Sequence, residues 1–274
     1  MKRSRIQTAR GTFEVYTEGK GQPIAVTHLY QSFRGNGDFF VRKLCEYYRV
    51  ILINLRGCHE SPSINDREEY SMETAIQDLE AIRTAFEYSA WAFAGTSAGG
   101  MLALQYAAEK PSSLTKIIAG GLTPSFAYLD DEDSIYSTRN PHASTIKEIM
   151  ENLKTATDIE ERQALHKTWT EFSLYNKETY HTMMARPKDG GIHHERLQYF
   201  IETVKKFDVR PALPTVKVLA YLFSGRYDTQ CPHRHTKEAS HLLANAQLTT
   251  FENSGHFPFI EEERAFQQFL EQTI

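Results

Sequence analysis

Cysteine is scarce in this chain. There are three in 274 residues, Cys45, Cys58 and Cys231, and no two form a C-x-x-C pair. An odd, unpaired set excludes a disulfide scaffold and points to free thiols in a reducing, cytoplasmic compartment. Long apolar runs are missing as well. Stretches such as residues 218–223 fall far short of the roughly 20 residues that span a bilayer, so membrane insertion is not expected. The basic start, Met1-Lys2-Arg3-Ser4-Arg5-Ile6, has no apolar stretch behind it and does not read as a signal peptide. No charge of one sign dominates: 31 Lys and Arg stand against 35 Asp and Glu, a formal net charge of −4. That balance excludes the basic footprint of a nucleic-acid binder. Internal repeats and low-complexity segments are also lacking.

What the chain does have is enough apolar and aromatic material to build a core. Aromatics make up 12% of it, which excludes disorder. A chain near 300 residues buries about 75% of its extended surface without needing a metal or disulfide staple. The N-terminal part alternates short β-rich runs with helical ones. Residues 12–17 are apolar on alternate positions, as in a half-buried strand, and Gly19-Lys20-Gly21-Gln22-Pro23 is a turn. Residues 24–27 and 50–53 are continuous apolar runs, the signature of strands covered on both faces. Helical spacing occupies 39–48. A longer helix opens at Ser71, with Ala75, Ile76, Leu79, Ile82 and Phe86 on one stripe. Strand 91–94, helix 101–108 and strand 116–119 follow, and strands alternating with helices at these lengths mean a doubly wound parallel sheet.

From about Thr123 to Phe207 only helical periodicities remain: Ile146-Ile149-Met150-Leu153, Leu165-Trp169-Phe172 and Leu197-Phe200-Ile201-Val204. The strand–helix rhythm resumes at 216–223 and continues through a helix near Ala239-Leu242-Leu243, a strand at 247–251 and a last helix over 261–270. The expected organisation is therefore a sheet domain of residues 1–122 and 208–274, interrupted by a helical cap at 123–207. Long insertions at one edge of a sheet shape binding sites. The acidic run Asp130-Asp131-Glu132-Asp133 reads as a solvated loop.

Chemistry concentrates at three places. Gly95-Thr96-Ser97-Ala98-Gly99 is a G-x-S-x-G sequence between the strand ending at Ala94 and the helix beginning near Met101, the context that gives this motif meaning. Side chains two before and two after the serine would collide on so sharp a turn, which accounts for Gly95 and Gly99. The helix N-terminus behind Ser97 presents unpaired N–H groups, and the Ala98 amide points where an oxyanion would develop. A serine needs a base, and the base an orienting acid. Asp228 follows the strand ending near Phe223, and His256 follows the strand ending near Phe251. Both stand where ligands gather in open α/β sheets, in the chain order Ser, Asp, His. Other histidines carry less. Cys231-Pro232-His233-Arg234-His235 lacks the second ligand pair of a zinc site, and His193-His194-Glu195 lacks the H-E-x-x-H pattern. Gly19, Gly21, Gly35 and Gly37 are turns and not a phosphate-binding fingerprint, so neither a metal nor an organic cofactor is expected.

These motifs resemble the α/β-hydrolase superfamily, in particular its members with a helical cap after strand six, and the resemblance covers nearly the whole chain. Asn54-Leu55-Arg56-Gly57-Cys58-His59-Glu60-Ser61 is similar to the family's D-x-R-G-x-G-x-S loop. Val26-Thr27-His28-Leu29-Tyr30 stands where the family has its His-Gly oxyanion loop, and Gly225-Arg226-Tyr227-Asp228 and Gly255-His256-Phe257-Pro258 match the acid and histidine motifs. The resemblance implies an α/β-hydrolase fold with a mostly parallel eight-stranded sheet and a Ser97–Asp228–His256 triad. It also implies an oxyanion hole built from the Ala98 amide and that of Leu29 or Tyr30. Leu29 and Tyr30 depart from the family's glycines, as Asn54 and His59 depart from its Asp and Gly. A serine hydrolase of small, largely apolar esters or related acyl substrates is expected, with His28, Phe126, Trp169, Phe172, Tyr175 and Phe257 as candidate lining. A proline-iminopeptidase-like aminopeptidase, a C–C bond hydrolase and a non-catalytic ligand-binding member of the fold are the alternatives. The partner expected is a small molecule; nothing in the sequence decides between a monomer and a homodimer.

Overall fold

The computed structural model describes residues 1–185 and 189–274. Eight strands form one sheet in the order β1-β2-β5-β3-β6-β7-β9-β10. They are β1 (Lys2–Thr8), β2 (Gly11–Glu18), β3 (Pro23–Val26), β5 (Arg49–Ile53), β6 (Trp91–Thr96), β7 (Leu114–Gly120), β9 (Leu219–Gly225) and β10 (Ala246–Phe251). Strand β2 runs antiparallel to both neighbours, β1 and β5. The remaining pairings are parallel. The C-terminal ends of the parallel strands therefore share one edge, and the loops leaving them converge there.

Helices α1 (Phe39–Cys45), α2 (Met72–Ala85), α3 (Ala98–Glu109), α8 (His233–Leu242), α9 (Pro258–Glu261) and α10 (Glu263–Glu271) cover the two faces. Two hydrophobic clusters result, one centred on α2 and α3, the other on α1 and α10. Sequence explains both. Ser71 caps α2, its Oγ accepting from the Thr74 N–H, and the stripe Ala75, Ile76, Leu79 and Ile82 is fully buried. Each such aliphatic side chain contributes roughly 1.5–3 kcal/mol on leaving water. Helix α3 is buried almost all round from Ala98 to Ala107, as a helix sandwiched beneath its neighbours must be.

Between β7 and β9 lie α4 (Ala143–Thr155), α5 (Ile159–Glu171), α6 (Thr179–Met184) and α7 (His194–Thr203). One two-residue strand, β8 (Gly191–Ile192), lies there too, unforeseen by periodicity; it pairs with β4 (Gln31–Ser32). The two ends of this helical segment join the core of the sheet. Tyr128, Val204 and Phe207 belong to the same hydrophobic cluster as α2 and α3.

Two expectations need correction, and one further strand was unforeseen. Strand β1 has no apolar alternation to announce it; Lys2, Arg3 and Arg5 make a charged sheet edge, which discourages pairing with other chains. Strand β2 is buried on both faces and not on one, because Glu14, 1% exposed, is taken up by a polar network. Asp131 is not solvated. Its carboxylate binds His235 Nε2 at 2.8 Å and Arg234 Nη1 at 3.0 Å, which ties the acidic run to α8.

Candidate active site

Ser97 occupies the turn from β6 into α3 with φ 54° and ψ −124°, a conformation costly for any residue with a side chain. Two glycines make that turn possible. A Cβ on Gly95 would stand 2.3 Å from the Gly99 carbonyl oxygen, and one on Gly99 would stand 2.7 Å from the Thr27 carbonyl oxygen. The second contact presses the start of α3 against the loop that follows β3. Ala98 is the first helical residue, so its N–H has no partner within α3.

Asp228 and His256 come from the loops after β9 and β10. The Asp228 side chain is fully buried, and Oδ1 accepts the N–H groups of Gln230 and Cys231, both at 2.9 Å. His256 Nδ1 donates to the same carboxylate, 3.0 Å from Oδ1 and 2.9 Å from Oδ2. The connection to Ser97 runs through β7. The Ser97 N–H donates to the Gly120 carbonyl at 3.0 Å. A Cβ on the next residue, Gly121, would meet His256 Cε1 at 3.0 Å and Asp228 Oδ2 at 3.3 Å. Asp228 and His256 thus meet beside Gly121, one residue after the carbonyl that the Ser97 N–H binds.

The loop after β3 completes this corner. His28 is buried; desolvation first, then the electrostatic influence of His256 and Arg196, push its pKa down to about 3, so the ring is neutral. The Tyr30 N–H donates to His28 Nδ1 at 3.4 Å, and the two rings meet edge to face at 4.4 Å. The Leu29 N–H has no hydrogen-bond partner among the described residues. Burial pushes the Tyr30 phenol up to about 12; Cys231 adds to this, and a hydrogen bond from the Ser97 side chain offsets part of it.

The aromatic candidates separate. Phe257 lies edge to face on His256 at 5.1 Å. Trp169 packs on Tyr136 at 6.0 Å, and the Tyr136 hydroxyl donates to Gln230 Oε1 at 2.8 Å, beside the acid loop. The Phe172 carbonyl accepts from Thr229 Oγ1, whereas its ring turns to His142 at 5.4 Å. Tyr175 stacks on Tyr227 at 4.6 Å with both rings about half exposed, facing outward. Phe126 is 37% exposed and held by its N–H to the Phe207 carbonyl at 2.8 Å.

The residues that fasten the helical segment to these loops carry no motif. The His256 N–H donates to the Ser173 carbonyl at 2.8 Å. Glu261 accepts the N–H groups of Tyr175 and Asn176 on Oε1 and of Gly255 on Oε2, at 2.7–3.0 Å. Burial holds its carboxyl above the usual range in spite of those bonds. An acidic residue closing a one-turn helix looks like any surface glutamate, so no sequence signal marks this clamp. Among the described residues, no group of three or more His, Cys, Asp or Glu side chains is arranged to hold a metal ion. No described helix is long and apolar enough to cross a membrane.

Comparison with known proteins agrees with this architecture. The family model described as alpha/beta hydrolase fold matches residues 30–263. An alpha/beta fold family hydrolase from Bacillus anthracis str. Sterne superposes with a TM-score of 0.96 at 43% identity, covering 100% of this chain and 99% of that one. A proline iminopeptidase from Heyndrickxia coagulans is 24% identical over 95% of this chain and 93% of its own length. A pimeloyl-(acyl-carrier protein) methyl ester esterase from Vibrio campbellii is also 24% identical, over 90% of this chain and 92% of its own.

Proposed function

Because this chain belongs to the alpha/beta hydrolase fold family, we propose that it is a serine hydrolase acting through Ser97, His256 and Asp228 on a small, largely apolar ester or related acyl substrate. The observation that carries this reading is the buried Asp228 carboxylate. Two backbone N–H groups hold it in place, and both its oxygens face His256 Nδ1.

With Nδ1 bearing the proton toward Asp228, Nε2 is the free lone pair and faces away from the acid. As Ser97 Oγ attacks the substrate carbonyl carbon, Nε2 takes the hydroxyl proton, and Asp228 stabilises the imidazolium that forms. Negative charge moves to the carbonyl oxygen, where the Ala98 and Leu29 N–H groups donate to it. Leu29 is the better second donor, since the Tyr30 N–H is directed at His28. Each such donor is worth roughly 3–4 kcal/mol at the transition state. The imidazolium then protonates the leaving alcohol, the C–O bond breaks, and a water deprotonated by His256 hydrolyses the acyl-serine. The helical segment 123–207 acts as the cap over this corner, with Trp169 and Phe257 as its candidate lining.

An esterase and an aminopeptidase stand among the relatives, so the test must separate them. Wild-type protein is expected to be labelled at Ser97 by a fluorophosphonate and to hydrolyse short p-nitrophenyl esters, and Ser97→Ala to do neither. An unlabelled, inactive wild type sinks the hydrolase reading. Turnover of proline-β-naphthylamide well above that of the esters replaces the esterase with the peptidase.

A further inference from the structure

Arg196, on α7, is a cation buried to 2% exposure, with no ion pair to a carboxylate among the described residues. Burial lowers its pKa below the usual guanidinium range, yet the group remains strongly basic in character. A charge kept in so unfavourable a place is held by what it touches. Its Nε donates to the Leu29 carbonyl and its Nη1 to the Arg56 carbonyl at 2.9 Å. The guanidinium lies over the Tyr70 ring at 5.4 Å, and Nη2 is buried without a partner.

Both carbonyls belong to loops leaving the sheet, after β3 and β5. The start of α7 grips the first of these again. The His193 N–H donates to the Tyr30 carbonyl at 2.8 Å, and β8 pairs Ile192 with Gln31. The His193 ring also caps α7 while its Nε2 reaches the Gly57 carbonyl at 2.9 Å. The Leu29 carbonyl and the Tyr30 N–H are the two polar groups of one peptide unit. Arg196 holds one and His28 the other, so this unit cannot rotate. Where the related loops carry glycine, Leu29 and Tyr30 have side chains that must be accommodated, and an external hold on the backbone sets their conformation.

We propose that Arg196 is a positioning residue for the oxyanion hole: by fixing the Leu29–Tyr30 peptide from α7, it restrains the Leu29 backbone so that the N–H of the adjoining His28–Leu29 peptide faces the carbonyl oxygen of a substrate bound at Ser97. The inference rests on the hydrolase reading given above. It makes the helical segment part of the catalytic apparatus as well as a cover.

The test compares wild type, Arg196→Lys, Arg196→Met and Arg196→Ala with p-nitrophenyl acetate and with a trifluoromethyl ketone that forms a reversible adduct at the serine. Losing one oxyanion donor costs roughly 100-fold in rate. Arg196→Met is expected to lose about that factor in kcat with KM changed less than threefold, and to bind the ketone more weakly by the same factor. Arg196→Lys keeps the charge but not the fork, and is expected to fall between the two. Added guanidinium at millimolar concentration is expected to restore rate to a folded Arg196→Ala protein. Wild-type kcat in the folded variants, or a loss confined to KM, overturns the inference and leaves the hydrolase reading standing. If Arg196→Met does not fold, the kcat and ketone affinity of Arg196→Lys decide by the same criteria. An inactive wild type overturns both readings at once.

Discussion

A Cβ on Gly95 would stand 2.3 Å from the carbonyl oxygen of Gly99 and 2.4 Å from its carbonyl carbon. These two residues flank Ser97, and their closeness is the steric condition for the turn on which the serine sits. Gly95 does not have a positive φ, so space alone demands glycine there. Gly95→Ala is therefore expected to destabilise the protein by about 3 kcal/mol or more, the upper range for overpacking a closed site. Urea unfolding midpoints would measure this. A variant as stable as the parent would mean that the turn relaxes easily.

The acid at position 228 is predicted to act through the tautomer it enforces. In Asp228→Asn the oxygen of the amide stays at Oδ1, where Gln230 and Cys231 donate two N–H groups. The NH2 group must then take the Oδ2 position, 2.9 Å from His256 Nδ1. Two donors cannot face each other, so the proton moves to Nε2 and the lone pair needed by Ser97 is lost. A fall in kcat of roughly 10⁴-fold with an unchanged fold is expected, the size seen when an equivalent acid is replaced in this way. Steady-state kinetics and far-UV circular dichroism check both halves.

Asn54 stands where related sequences have Asp, and the structure shows why the amide is needed. Its Oδ1 accepts the Phe33 N–H at 2.8 Å, and its Nδ2 donates to the Phe33 carbonyl at 3.0 Å and to Glu14 Oε2 at 2.7 Å. Burial pushes the Glu14 carboxyl up, but hydrogen bonds from Asn54, Arg3 and Tyr16 outweigh it and hold the pKa below the usual value. In the parent, that stabilisation is present above the unfolded-state pKa and is lost as pH falls through the folded one. Asn54→Asp sets a second carboxylate against Glu14 and removes the donor. It is expected to cost about 3 kcal/mol near pH 7, the scale for an uncompensated buried charge. The sign with pH reverses, because the paired carboxyls share a proton at a raised pKa. The deficit relative to the parent should shrink as pH falls. Thermal midpoints of both proteins between pH 4 and 8 test this, and a pH-independent gap would refute it.

How legible was all this in the sequence? The parallel sheet was legible because strands covered on both faces must be apolar throughout, as residues 24–26 and 50–53 are. Helix α2 was legible because one stripe had to be apolar and Ser71 had to cap it. Ser97, Asp228 and His256 could be named because each follows a strand, and strand ends in such a sheet point to one edge. Strand β1 was not legible, since an edge strand needs no apolar face. The burial of Asp131 was not either, because an acidic run carries no trace of the Arg234 and His235 that neutralise it from another element.

The sequence by itself determined the local conditions: three thiols with no pairing pattern, a glycine-flanked serine between strand and helix, and an acid and a histidine in order behind it. These depend on neighbours along the chain, which a sequence states outright. Only the tertiary structure decided which way the β3 loop presents its amides. Tyr30 turns its N–H to His28, and Arg196 reaches the Leu29 carbonyl from 167 positions away. A hydrogen bond across that separation is formed by the folded arrangement of two loops and a helix, and no pattern of residue types along the chain encodes its direction.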